Sequence, residues 1–89
     1  MSTTLISLLL PTRGRPELVR RFFQSVADKT SDLASVEIIT YVDDDDVSSH
    51  NLSFAGLNIK QIVGPRNGMG FYNSKCLQAS SGDVIILVS

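Results

Sequence analysis

Leu5-Ile6-Ser7-Leu8-Leu9-Leu10 is an almost unbroken apolar run, closed by Pro11 and the turn-forming Gly14. A run of this kind suits a strand covered on both faces better than an amphipathic helix, so a strand is predicted near residues 4–10. Pro16 then stands where a first helical residue belongs, followed by Glu17, whose charge suits the positive end of a helix. Leu18, Phe22 and Val26 recur at helical spacing, Val19 and Phe23 widen the stripe, and Arg20, Arg21, Gln24 and Lys29 lie opposite, which predicts a helix near 16–29. The β-branched stretch Val36 to Val42 predicts a second strand near 36–42, opening into the acidic loop Asp43-Asp44-Asp45-Asp46. Strand, helix and strand joined this closely imply a right-handed parallel crossover.

Between Val47 and Gly56 the pattern supports at most one helical turn. Leu57 to Val63 predicts a third strand near 57–63, although its alternation slips at Gln61, and Gly64 to Gly70 has the composition of a loop. Tyr72, Cys76 and Ala79 mark one face of a second helix near 71–80, with Gly82 placed as its C-terminal cap. Val84 to Val88 is entirely apolar and is expected in the middle of a parallel sheet, near 84–88. A chain that stops one residue later, at Ser89, is expected to be a fragment or to meet a surface supplied by another chain. The fold expected is α/β: a three-layer α/β/α arrangement on a mainly parallel sheet of about four strands, a Rossmann-like half-domain spanning residues 1–89 as a single domain. Its expected core is Ile6, Leu8, Leu10, Leu18, Phe22, Val26, Ile38, Val42, Ile85 and Leu87.

Composition narrows the function classes. With 89 residues, 43% of them hydrophobic and 19% charged, the chain is ordinary globular material and too short for two domains. A net charge of -1 removes the electrostatic case for a nucleic-acid binder, so any phosphate site must be local. Cys76 is the single cysteine, which excludes an internal disulfide; with His50 as its only companion no zinc spacing arises, and a cytoplasmic setting is expected. No apolar stretch approaches the roughly 20 residues that span a bilayer, so no transmembrane segment is expected.

Chemistry is expected where loops gather at the carboxyl ends of parallel strands: Pro11 to Arg15, Asp43 to Asp46, and the segment after the fourth strand. Pro11-Thr12-Arg13-Gly14-Arg15-Pro16 has a single glycine and is no dinucleotide turn, and Gly64 to Gly70 lacks the ending of a Walker A loop. What remains is a basic loop beside an acidic one. Arg13 and Arg15 suit phosphate oxygens, and Asp43 and Asp44 suit a base N–H or ribose hydroxyls. The aspartates read equally as a solvated turn capping a helix, and the two arginines as surface charge.

The ordered set Leu8-Leu9-Leu10-Pro11-Thr12-Arg13-Gly14-Arg15-Pro16, Tyr41-Val42-Asp43-Asp44, Asn67-Gly68-Met69-Gly70, Asn73, Ala79, Gly82-Asp83 and Val84 to Val88 resembles the nucleotide-sugar-binding part of a GT-A fold, family 2 type glycosyltransferase. The resemblance covers nearly the whole chain and stops just before the D-x-D metal motif of those enzymes. It implies that the backbone of Pro11 and Thr12 and the carboxylate of Asp43 hold a uracil ring, that Arg66 faces the nucleotide or its phosphates, and that Asn73 is the helix asparagine of the motif. The implied ligand is UDP or a UDP-sugar, with no tightly bound cofactor. Mg²⁺ or Mn²⁺ would have to be held by the diphosphate or by residues beyond this chain.

Departures from the pattern set the functional expectation. Without the D-x-D carboxylates and the acceptor-binding half, a UDP leaving group lacks its main electrostatic assistance, so this chain alone is not expected to transfer sugar, and no catalytic residue is assigned. Asp45-Asp46 also replaces the commoner Gly-Ser of that loop and alters its turn chemistry. Two functions are therefore expected, and they are compatible: a UDP-binding half-domain, and a non-catalytic module forming a homo-oligomer through its fourth-strand edge. A phosphoacceptor receiver is disfavoured, because Thr12 and Arg13 stand where an acidic pair is needed. His50 has no second ligand in the sequence, Cys76 reads as a small core residue, Ser7 as locally satisfied, and Met69 carries no signal.

Overall fold

β1 (Ile6–Thr12) and β2 (Val36–Asp43) lie side by side at the centre of a four-stranded sheet ordered β3-β2-β1-β4, with β3 (Asn58–Gly64) and β4 (Val84–Leu87) at its edges. The computed structural model of the chain describes residues 5–66 and 68–88, with only the backbone of Met69. Thr4, Asn67 and Ser89, which enter the expectations above, lie outside the described residues. Every pairing is parallel, so all four carboxyl ends share one rim. The helices are α1 (Pro16–Lys29) and α2 (Met69–Ala79), and single turns of 3-10 helix stand at Leu33–Ser35 and Val47–Ser49. The sheet, its two helices and their order are those expected from the apolar pattern.

The chain steps from β1 through β2 to β3, then returns across the sheet to β4 beyond β1. The two crossovers travel in opposite directions, so crossovers of one hand put their helices on opposite faces. Packing agrees. On one face Val19 and Phe23 of α1 meet Leu10, Val36, Ile38 and Leu52; on the other, Cys76 of α2 meets Leu9, Ile39 and Tyr41. Successive residues of β1 and β2 thus serve opposite cores, which is why these strands read as continuous apolar runs.

Four expectations about the elements and the core need correction. First, β1 begins at Ile6 and runs through Pro11 to Thr12, where Pro11 pairs with Tyr41. Leu5 and Leu9 turn their carbonyls to β4, accepting from Val84 and Val88, so alternation turns Pro11 the same way. Pairing with β4 ends at Leu9, because the next bond of the ladder would need an N–H at residue 11 to reach Val88 O, and proline has none. Second, β4 is an edge rather than a central strand. Both helices cover the β1–β2 centre, and Val84, Ile85, Ile86 and Leu87 are all exposed, Leu87 at 61%. Ile85 and Leu87 are therefore not core residues.

Third, α1 is turned further than its sequence suggests: Val19 and Phe23 are buried, Phe22 and Val26 pack at the margin, and Leu18 is 53% exposed. Among the other expected core residues, Leu10, Ile38 and Val42 are buried, and Ile6 and Leu8 only half-buried. Fourth, Gly82 does not cap α2, which ends at Ala79 with Ser80 in an extended conformation. Its Cβ position would lie 2.8 Å from Ser7 N and 3.0 Å from Leu5 O, besides striking Ser7 Oγ. Backbone atoms cannot yield as a flexible side chain would. Gly82→Ala is expected to lower stability by about 1–3 kcal/mol, read as a lower urea midpoint.

A buried polar knot explains that close approach. Ser7 does not satisfy itself locally: its hydroxyl donates to Glu37 Oε2 at 2.5 Å and accepts from the Gly82 N–H at 2.9 Å. Glu37, 1% exposed, also accepts from Ser81 N at 2.6 Å and is paired with Lys60 Nζ at 3.0 Å. The knot ties β1, β2 and β3 to the α2–β4 connection at the rim opposite the strand ends. Burial alone would raise the carboxyl pKa of Glu37, but donors from Ser7 and Ser81 and the Lys60 ammonium outweigh it and leave it below the ordinary value.

Candidate functional site

At the carboxyl rim the basic and acidic loops meet directly. Gly14 takes φ +62, a left-handed turn conformation that costs glycine little, and its N–H donates to Asp46 Oδ2 at 2.5 Å. Asp46 also accepts from Ser48 Oγ at 2.9 Å. The Gly14 amide is the leading cause holding the Asp46 carboxyl below the usual range. Asp44 N donates to Gly64 O at 2.7 Å, which ties the acidic loop to the end of β3. The loop is therefore a structured turn and not a free run of charge.

Asp43 is the best-held of the aspartates, 1% exposed at the last position of β2. Its Oδ2 accepts from Arg13 Nη1 at 2.6 Å, and its Oδ1 accepts from the Tyr72 hydroxyl of α2 at 2.6 Å. Arg13 simultaneously donates to Asp45 at 2.7 and 3.3 Å. The Asp45 and then the Asp43 hydrogen bonds push the guanidinium pKa above its ordinary value, and the same contact lowers that of Asp45. Behind Tyr72 the ring of Tyr41 stacks at 4.6 Å between centroids with 30° between planes, and the Tyr41 hydroxyl donates to Pro65 O at 2.9 Å. The His50 ring nitrogen Nε2 lies 3.2 Å from the Asp43 backbone O.

Beside the cluster a cleft of about 410 Å³ opens between the end of β1, the start of α1 and Val88. Pro11, Thr12, Arg13 and Arg15 line its polar end, and Leu18, Val19 and Phe22 its apolar wall. This is where strand order reverses: β1 leads towards β2, while β4 lies on the opposite side of β1. Open α/β sheets place ligands in such crevices because diverging connections leave the space between the strand ends uncovered.

The structure brings Pro11, Thr12, Arg13 and Arg15 to the cleft and joins Arg13 to Asp43. Asp44 is exposed beside them, Arg66 is exposed after β3 with its charge close enough to lower the Asp45 pKa, and Asn73 is half-buried on α2 next to Tyr72. Three of the four aspartates are already engaged: Asp43 and Asp45 face Arg13, and Asp46 faces the Gly14 amide. Among the described residues, no three His, Cys, Asp or Glu side chains gather as a metal site. Burial pushes the Cys76 thiol up to about 11, in keeping with a core residue. No described helix is long and apolar enough to cross a membrane.

Sequence reasoning missed Tyr72 and the Glu37 knot. Tyr72 was legible only as part of an apolar stripe, because the reach of its hydroxyl depends on where α2 sits. Glu37 did leave a signal: a carboxylate inside a strand covered on both faces must find partners. Comparison of the chain with protein-family models, with curated proteins and with solved structures returns no match.

Proposed function

We propose that the chain is a nucleotide-binding half-domain that takes UDP or a UDP-sugar and does not transfer sugar by itself. The observation that carries this reading is Asp43, a buried carboxylate at the rim beside the switch-point cleft, in reach of an arginine that lines that cleft. A carboxylate only accepts hydrogen bonds, and uracil offers N3–H as its donor. Arg13, Arg15 and Arg66 supply positive charge for a diphosphate within a chain whose net charge is slightly negative. The family resemblance of the Pro11 to Pro16 and Asp43-Asp44 motifs points the same way. Calorimetric titration is expected to show saturable UDP binding, at least about tenfold tighter than ADP, and loss of that preference in Asp43→Ala. Equal affinity for UDP and ADP, or an unchanged UDP affinity in Asp43→Ala, defeats the reading.

A second reading, self-association through the sheet edge, is favoured by the exposure of all four β4 side chains. An unpaired apolar edge is a template for another strand. Sedimentation is expected to show a concentration-dependent dimer that Ile86→Lys abolishes. A strictly monomeric profile at high concentration removes this reading.

A further inference from the structure

The two oxygens of Asp43 are held in unlike ways. Oδ1 faces Tyr72, whose ring is packed against Tyr41, which is itself anchored on Pro65 O. Oδ2 faces Arg13, whose side chain is 43% exposed and sits one residue before the left-handed turn at Gly14. One partner is fixed by packing, and the other can leave. A donor that approaches Asp43 from the cleft must therefore take Oδ2 from Arg13, because Oδ1 is closed by the aromatic stack.

Resting on the UDP reading, we infer that Arg13 is an internal stand-in for the ligand's hydrogen-bond donor, so that the site selects a uridine carrying phosphates over the free nucleoside. Removing Arg13 from Asp43 breaks the contacts to both Asp43 and Asp45, a three-bond fork around one guanidinium. A nucleoside replaces one of those bonds with its N3–H and gives the displaced guanidinium nothing. A diphosphate chain offers that guanidinium a bidentate anionic acceptor in the cleft that Arg13 already lines. Base recognition and phosphate recognition are thereby coupled through one side chain: each makes the other less costly.

The test compares calorimetric affinities for UDP and uridine in the wild-type chain, Arg13→Gln and Asp45→Asn, with circular dichroism to confirm folding. Wild type is expected to prefer UDP strongly. In Arg13→Gln the UDP-to-uridine ratio is expected to fall by about tenfold or more, with uridine binding unchanged or tighter, since one charge-assisted contact is commonly worth that factor. A purely structural role would weaken both ligands alike. Asp45 is an exposed loop residue, so Asp45→Asn is expected to fold and to tighten both uridine and UDP by loosening Arg13. If Asp45 acted only by repelling phosphate, UDP alone would improve. A wild-type chain that prefers UDP over ADP but keeps its UDP-to-uridine ratio in Arg13→Gln overturns this inference alone. A wild-type chain that shows no preference for UDP over ADP overturns the function reading, and the inference falls with it.

Discussion

Glu37→Ala is expected to lower folding stability by about 3 kcal/mol, a large share of the roughly 5–10 kcal/mol that a domain of this size commonly has. The loss is concentrated in two donors. Lys60 is partly exposed and can return its ammonium to water, but the buried Ser7 hydroxyl would lose its acceptor inside the fold and the part-buried Ser81 N–H would lose its own. Urea unfolding followed by far-ultraviolet circular dichroism measures the total. Amide hydrogen exchange should show where it falls: the Ser81 and Gly82 amides are expected to exchange faster, because the α2–β4 connection is tied through Glu37 and Ser7. A change in folding free energy below about 0.5 kcal/mol would mean that the knot is not what holds β4 to the sheet.

The same carboxylate gives stability a pH dependence of defined sign. Its folded pKa lies below the ordinary 4.5, so its contribution is complete above that value and is lost as pH falls through the folded pKa. Asp45 and Asp46, also lowered, contribute in the same acid range. Glu37→Gln should flatten only the Glu37 share of the slope below about pH 4.5. An unchanged acid slope in that variant would assign the dependence to the aspartate loop.

Phe23→Ala is expected to cost about 3–5 kcal/mol, enough to unfold a marginal chain at ambient temperature. Phe23 is completely buried and joins α1 to Leu10, Ile38 and Leu52, so truncation leaves a void between helix and sheet. Leu18→Ala, one turn earlier on the exposed border of the helix, is expected to change stability by less than about 0.5 kcal/mol. The pair separates two orientations of α1 that share one apolar stripe. Comparable losses in both variants would mean that the helix is seated on Leu18, Phe22 and Val26 after all. Thermal melts of the two proteins at equal concentration decide between them, since a contribution from self-association would otherwise shift the midpoint.

Why α1 is seated as it is follows from what lies beneath it. Leu18, Val19, Phe22, Phe23 and Val26 form a stripe broad enough to accept several rotations, and helical spacing cannot choose among them. The sheet chooses, because Leu10 and Ile38 leave room for Val19 and Phe23 at the β1–β2 centre. The rim behaves similarly. Loop composition indicated that Arg13 and Asp43 would lie near each other, but not that they would bond directly, nor that Tyr72 would close the other oxygen.

Element order, the parallel sheet, the placement of both loops at the strand ends and the burial of Cys76 were all legible in the amino-acid sequence. These depend on periodicity, breaker residues and short connections, all of which act over neighbouring positions. The folded chain alone reveals that the most apolar strand, Val84 to Leu87, is an exposed edge, that Gly82 serves close packing against Ser7, and that Glu37 is sustained by partners from three other segments. All three share one cause. Each depends on which distant segments arrive beside a residue, and a parallel strand looks equally apolar whether its neighbours cover both faces or leave them open.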